Sequence, residues 1–206
     1  KDFKKQILRR YKGAKDKDIA GICRYLESHE LDMFNGQVGR EYGSGMFGIH
    51  RDAGSGLLYS YWEGKRIYLK SEIQNELIAK EYLCSLCREQ DERSPHCYAI
   101  DKLGLGSGDV VIDGGAAEGF FALQIVEKVK KIYLVEGEGQ WVEALRHTFR
   151  PYKEKVSILP KWLGNINDEK TVTIDRINEE EKITLVKLDI EGAEADANAG
   201  GEKTFN

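Results

Sequence analysis

The sequence predicts an α/β protein in which a parallel sheet with helices on both faces follows a smaller α+β region. Two observations lead to this fold class. From about residue 99 onward, short β-prone runs alternate with helical runs, a pattern typical of a parallel sheet. Before residue 91, helical runs flank a block of glycine-punctuated β-prone runs. We therefore divide the chain into an N-terminal region at 1–90, a connector at 91–98 and an α/β domain at 99–206.

The composition is that of a folded protein without a membrane span or a nucleic-acid partner. The chain has 206 residues, with 31 basic and 35 acidic side chains and a net charge of -4. This charge argues against a partner held by phosphate neutralisation. No apolar run approaches the roughly 20 residues that a membrane span requires, and the first residues do not resemble a secretory signal. We predict a cytoplasmic protein that binds a small molecule or a saccharide and could form a homodimer.

The N-terminal region is predicted to begin with a helix and to continue with strands. Asp18 can cap the helical run IAGICRYLESH, whose apolar stripe needs a partner. Residues 46–70 contain three β-prone runs separated by glycine turns, which predicts a hairpin or meander. Aromatic residues in this segment could stack on a sugar, but on alternating strand positions they more often belong to a core.

A long amphipathic helix is predicted within residues 72–89, and it carries two of the four cysteines. Four side chains fall on one face at helical spacing: Ile73, Leu77, Cys84 and Cys87. The Cys-x-x-Cys spacing, with His96 and Cys97 nearby, would also suit a zinc site. Because a free cysteine packs as a small hydrophobe, we favour burial of both helical thiols over metal binding.

The α/β domain is expected to contain four strands and two intervening helices. The strands are DVVIDGG, KIYLVEG, KVSILP and ITLVKLDIEG, and the helices are EGFFALQIVEKVK and GQWVEALRHTFRPY. TVTIDRI is expected to be an extended piece before the last strand. Ligands of open parallel sheets bind at the carboxyl ends of the strands, so the functional residues should directly follow each strand.

The loop after the first of these strands carries a nucleotide-binding signal. Gly114, Ala116 and Gly119 fit a loose GxAxxG pattern, which in nicotinamide-dependent oxidoreductases holds a pyrophosphate at a helix N-terminus. Asp113, directly before this pattern, would repel phosphates, whereas it would attract the sulfonium and ammonium groups of S-adenosylmethionine. Glu136, after the second strand, could bind the ribose of either cofactor. The loop favours S-adenosylmethionine, with NAD as the alternative.

The last predicted strand is interrupted by a charge and followed by acids. Lys187 lies in a run that should be apolar if the strand is buried, so its ammonium must be paired or functional. Asp189, Glu191 and Glu194 follow at the strand's carboxyl end, where acids could cap a helix, take a proton or hold a divalent cation. His96 is another candidate base if the connector folds over the site.

Four segments, in this order and spacing, resemble the FkbM-type S-adenosylmethionine-dependent methyltransferases: VVIDGGAAEGFF, LVEGEGQWVEAL, TVTIDRI and VKLDIEGAEADANAG. The resemblance covers about residues 99–206 and implies a class I, Rossmann-like methyltransferase fold. It also implies that further strands follow Asn206, so that the domain looks incomplete at its C-terminus. The implied activity is methylation of a hydroxyl oxygen on a saccharide or secondary metabolite. Ala117 departs from the glycine found in many methyltransferases of this fold.

On this basis, the residues expected to bind S-adenosylmethionine are Asp113, Gly114, Gly115, Ala117, Glu118, Gly119, Glu136, Gly137 and Asp189. The expected catalytic residues are Lys187, Asp189, Glu191 and His96, and no residue is assigned to a metal. Two alternatives stay open, a NAD-dependent oxidoreductase and a non-catalytic cofactor-binding or scaffold protein.

Overall fold

The structure is a computed structural model that describes residues 2–31 and 41–206, so positions 1 and 32–40 of the predicted N-terminal region lie outside the described residues. The first elements are α1 (Phe3–Arg10), α2 (Lys17–Ser28), β1 (His50–Arg51), β2 (Leu58–Trp62), β3 (Lys65–Tyr68) and α3 (Glu76–Glu89). The next are β4 (Val110–Gly114), α4 (Phe120–Ile125), β5 (Lys131–Val135), α5 (Gly139–Thr148) and β6 (Val156–Leu159). The last are β7 (Trp162–Leu163), β8 (Thr171–Val172), α6 (Ile174–Glu180), β9 (Leu185–Leu188), α7 (Glu194–Ala199) and α8 (Glu202–Phe205).

A four-stranded parallel sheet in the order β6-β5-β4-β9 confirms the predicted α/β class. Side chains on successive strand positions point to opposite faces, so the strands feed two separate cores. Val111 and Leu134 belong to one core, whereas Ile112 and Tyr133 belong to the other. Because β4 pairs with both β5 and β9, the loops that follow these three strands meet at one edge of the sheet.

Helices cover both faces of this sheet. On one face, α3 and α4 contribute Leu83 and Phe121, and the N-terminal strands contribute Ile67. On the other face, α6 and α7 contribute Ile174 and Ala197. Since the first core contains side chains from the N-terminal region and from the α/β domain, the two regions pack against each other through a shared apolar interior.

The predicted meander is present, and its aromatic residues divide between two environments. β2 pairs antiparallel with β1 and with β3. Trp62 faces the core and packs on Phe120, with 4.9 Å between the ring centroids. Tyr59 and Tyr61 lie on the opposite face, where their rings contact each other at 5.8 Å and Tyr61 is exposed. Because side chains alternate between the two faces of β2, its aromatic residues occupy both of the environments that the sequence allowed, the core and the surface.

Two predicted helix starts differ from the structure because a different side chain makes the cap. Asp16, rather than Asp18, caps α2, since its carboxylate accepts the N–H groups of Asp18 and Ile19 at 2.9 and 3.0 Å. Asn75 caps α3 in the same way, so residue 73 precedes the helix. Leu77 is 57% exposed, which makes its predicted place on the apolar face wrong.

The buried face of α3 instead consists of Ala79, Leu83, Cys84 and Cys87. Both thiols pack in the core of the sheet's first face, which confirms that these cysteines behave as small hydrophobic residues. Burial raises the pKa of the Cys87 thiol to about 12, so it stays protonated and apolar.

Two predictions in the α/β domain were also wrong in detail. TVTIDRI is a strand only at β8 and becomes helical at Ile174, because the Thr173 hydroxyl accepts the N–H of Arg176 at 3.1 Å and caps α6. α4 ends at Ile125 rather than near residue 130. Lys130 already turns toward β5, with its N–H bonded to the Asp109 carbonyl at 2.9 Å. Within the described residues, no helix is both long and apolar enough to cross a membrane.

Candidate functional site

The glycine loop between β4 and α4 has a left-handed backbone at three positions, Gly115, Ala117 and Gly119, with φ of 67°, 46° and 81°. A side chain at Gly115 would collide with the carbonyl of Asp189, so the loop after β4 and the loop after β9 pass each other in close contact. Glycine is needed there for its conformation and for its lack of a side chain. Ala117 adopts the same kind of backbone at a steric cost.

Glu136, at the carboxyl end of β5, holds this loop in place. Its Oε2 accepts the N–H of Ala117 at 2.9 Å, and its Oε1 accepts the N–H of Glu138 at 2.7 Å. The side chain is buried, yet each carboxylate oxygen can accept a further hydrogen bond. Gly137 follows directly and packs beneath the ring of Trp162, where a side chain would collide.

Lys187 is paired with Asp113. The two residues are cross-strand partners in β9 and β4, and 3.0 Å separates Lys187 Nζ from Asp113 Oδ1. Lys187 also donates to the carbonyl oxygens of Gly114 and Gly115 at 3.4 and 3.0 Å. Burial raises the pKa of Asp113, and the Lys187 ammonium opposes that rise. The charged residue in the middle of the strand thus supports the underside of the glycine loop.

Asp113 is completely buried, and its Oδ2 has no hydrogen-bond donor among the described residues. Its carboxylate therefore lies beneath the loop and is compensated by a lysine. Because Lys187 balances its charge, Asp113 does not attract a cationic ligand as the sequence predicts, and other carboxylates are left for that role.

Those carboxylates line a cleft of about 220 Å³ above the loop. Four acids share this lining: Glu89, Glu118, Asp189 and Glu191. Lys187 also reaches the cleft, but its charge is balanced by Asp113. Burial raises the pKa of Glu89. Glu191 lies in the turn after β9, where its backbone is left-handed with φ of 55°. Among the described residues that line the cleft, carboxyl groups thus outnumber cationic groups four to one.

Glu118 is the most deeply buried of the four. It is held by Tyr82 of α3, whose hydroxyl donates to Glu118 Oε2 at 2.5 Å. Burial raises the pKa of Glu118, and this hydrogen bond opposes the rise. A carboxyl group placed in the loop and removed from water is a strong attractor for any cation that enters the cleft.

Tyr98 closes the other side of the cleft. Its hydroxyl donates to Asp189 Oδ2 at 2.7 Å, and its ring lies 5.5 Å from Lys187 Nζ. The ring also packs edge-on against Phe121. The connector therefore folds over the site, which was the condition for His96 to act as a base. The connector residue that reaches the cleft is Tyr98.

The structure brings most of the predicted site residues together. Those that line the cleft are Gly115, Ala117, Glu118, Lys187, Asp189 and Glu191. Asp113 and Gly114 lie beneath it in β4, and Glu136 and Gly137 lie at the neighbouring strand end. His96 is exposed on the connector, outside the lining, and its charge acts on Glu89.

Glu194 has a different role from the other acids after β9. Its Oε1 accepts the N–H groups of Ile190 and Gly192 at 3.1 and 3.2 Å, so it stabilises the turn into α7. Backbone hydrogen bonds, first from its own N–H, hold the pKa of Glu194 below its usual value. In residues 2–31 and 41–206, no group of three or more His, Cys, Asp or Glu side chains is placed to hold a metal ion.

Among the cleft residues that the sequence does not predict, three have ionisable side chains: Tyr82, Glu89 and Tyr98. Two of them lie on α3, which we interpreted as a purely packing helix. The available signal was Tyr98, a large aromatic side chain at the end of a polar connector directly before the α/β domain.

Comparisons with known proteins leave the family open. No protein-family model matches the chain, and no curated protein matches it. Among solved structures, it is similar to a precorrin-8W decarboxylase from Methanobacterium thermoautotrophicum, with 14% identity over 53% of this chain and 73% of that chain, and a TM-score of 0.31. At this TM-score the likeness carries no argument about fold or activity.

Proposed function

We propose that this chain is an S-adenosylmethionine-dependent methyltransferase that methylates a hydroxyl oxygen of a saccharide or secondary metabolite. The charge of the cleft is the observation that carries the proposal. Four carboxylates line it, and the lysine beside them is already paired with Asp113. NAD would bring two phosphate charges into these acids, whereas S-adenosylmethionine brings a sulfonium and an ammonium against one carboxylate. The FkbM-type resemblance of residues 99–206 points to the same cofactor.

The loops around the cleft fit such a ligand. Gly115 lets the loop after β4 pass close to the Asp189 carbonyl, and Glu136 keeps one free acceptor site on each oxygen for a ribose diol. Glu118 would face the cationic end. The cleft volume of about 220 Å³ is below the roughly 300 to 1,000 Å³ usual for ligand pockets, so the cleft has to widen when the cofactor binds.

Bound there, S-adenosylmethionine supplies an electrophilic methyl group on a sulfonium. The protein's own residues then have to orient the acceptor, exclude water and take the proton of its hydroxyl group. Orientation of two reactants can contribute about 7 to 11 kcal/mol, and a positioned base a further 100- to 10,000-fold. We favour Asp189 as the base, because it lies at the open side of the cleft and Tyr98 engages only its Oδ2.

Calorimetric titration of the chain with S-adenosylhomocysteine and with NAD⁺ tests the cofactor. We expect binding of S-adenosylhomocysteine and none of NAD⁺, and the reverse pattern would overturn the proposal in favour of an oxidoreductase. Gly115→Ala should abolish binding without changing any charge, because the new methyl group would collide with the Asp189 carbonyl. Gly139→Ala is the matched control, since nothing lies near its Cα.

Transfer of a tritiated methyl group from S-adenosylmethionine to a panel of saccharides then separates an enzyme from a binding protein. Label in a saccharide product that Asp189→Asn reduces at least 100-fold supports the assigned base. Unchanged turnover in Asp189→Asn would remove Asp189 from that role.

A further inference from the structure

Helices α1 and α2 form a hairpin that belongs to neither core of the sheet. The two helices contact each other, and Leu26 of α2 is buried. Among the described residues, the hydrophobic clusters around the sheet and the meander contain no side chain from either helix. Phe3, Tyr11 and Ile22 are 59%, 40% and 44% exposed. The apolar stripe of α2 therefore finds a partner in α1, but the hairpin leaves large apolar side chains in water.

The same hairpin is basic in a chain that is acidic overall. The first 17 positions contain eight Lys or Arg residues and two acids, whereas the whole chain has a net charge of -4. Both acids are engaged locally: Asp2 pairs with Lys5 at 2.9 Å, and Asp16 caps α2. Arg9 and Arg10 are exposed in the last turn of α1. Such a charge asymmetry indicates a polyanionic partner.

Apolar and basic residues occur together along α1. Phe3, Ile7 and Tyr11 are spaced four residues apart and so follow one stripe of the helix, which Arg10 borders, while Arg9 lies farther round the helix. A nucleic-acid backbone would use the cations and leave the apolar stripe in water. An anionic lipid surface uses both, because phosphate headgroups attract Lys and Arg while aromatic and aliphatic side chains enter the boundary below them.

The acids of α2 are compatible with an orientation in which α1 faces the anionic surface. Asp18, Glu27 and Glu30 lie on or after α2 rather than in α1, and Glu30 is 3.9 Å from Lys4. We propose that the α1–α2 hairpin docks on an anionic membrane surface through the basic, apolar side of α1. Binding of this kind lies in the plane of the interface and needs no membrane-spanning helix.

Sedimentation of the full chain with phosphatidylcholine vesicles, with and without 30 mol% phosphatidylserine, tests the proposal. We expect binding to the anionic vesicles only, and weaker binding as salt rises. Arg9→Gln with Arg10→Gln should lower the partition coefficient at least about fivefold, because a cation near an anionic surface contributes a factor of about five and Arg10 borders the apolar stripe. Phe3→Ser should lower it further by removing the apolar contact.

Arg146→Gln with Lys153→Gln is the matched control, since these cations are exposed elsewhere and their loss should leave vesicle binding unchanged. Thermal unfolding and S-adenosylhomocysteine binding should be unaffected in both double variants, so failure of the docking proposal is distinguishable from failure of the proposed function. Equal binding to neutral vesicles, an equal loss in the control, or binding of duplex DNA without binding of vesicles would overturn the proposal.

Discussion

Lys187 and Asp113 face each other across β9 and β4, and 3.0 Å separates the ammonium nitrogen from the nearer carboxylate oxygen beneath the glycine loop. The lysine also donates to the carbonyl oxygens of Gly114 and Gly115. One ammonium group therefore neutralises the buried acid and connects the last strand to the loop that begins the site.

Removal of this cation should be strongly destabilising. Lys187→Met leaves the Asp113 carboxylate fully buried without a partner, and we expect the free energy of unfolding to fall by roughly 3 to 5 kcal/mol in urea denaturation. Combining it with Asp113→Asn should recover much of the loss, because no charge is then left uncompensated. Lys182→Met, at an exposed position, should change stability by less than about 0.5 kcal/mol. A loss under 1 kcal/mol for Lys187→Met would contradict a buried ion pair.

Ala117→Gly should stabilise the protein. The left-handed backbone at this residue costs a non-glycine residue roughly 1 to 2 kcal/mol, and Ala117→Gly removes this cost. Glycine also has more conformational freedom in the unfolded chain, and this opposes part of the stabilisation. We expect a net increase of about 0.5 to 1 kcal/mol in the free energy of unfolding. Ala116→Gly, at the neighbouring buried position without a positive φ, should instead destabilise. Destabilisation by both substitutions would mean that Ala117 is unstrained.

The buried carboxyl of Glu118 should make stability depend on pH. Burial raises its pKa above the usual 4.5, so the folded chain holds this proton more tightly than the unfolded chain does. Its favourable contribution is complete below pH 4.5 and is lost as the pH rises through the folded-state pKa. Glu118→Gln should therefore match the wild type near pH 4 and exceed its stability increasingly at pH 6 and 8. Urea unfolding at these three values measures the difference, and a gain that is largest at pH 4 would refute it.

The periodicity of the sequence was sufficient to predict the parallel sheet, the meander and the order of the elements that carry the site. It placed Gly115, Glu136 and Asp189 at one sheet edge because the carboxyl ends of parallel strands coincide. Lys187 was recognised as paired or functional, but its partner depends on the strand register, which one sequence does not specify. The strand register also explains why Asp113, which the sequence predicts as a cofactor contact, pairs with Lys187 beneath the loop.

Contacts between distant parts of the chain could not be predicted. Tyr82 and Tyr98 reach the cleft only because α3 and the connector pack over the glycine loop. The helix starts could not be predicted to the residue either. Several neighbouring polar residues could have capped each helix, and the backbone geometry selects Asp16, Asn75 and Thr173.

Affinity for S-adenosylmethionine in wild type and Glu118→Gln tests most directly whether the carboxylates of the cleft recognise a cationic nucleoside. We expect calorimetry to give a roughly tenfold weaker affinity for S-adenosylmethionine in the variant, and a smaller loss for S-adenosylhomocysteine, which lacks the sulfonium charge. Glu143→Gln, an exposed acid on α5 outside the cleft, should change neither affinity. Binding of NAD⁺ in place of S-adenosylmethionine, or equal affinity for S-adenosylmethionine in wild type and Glu118→Gln, would contradict the proposed recognition.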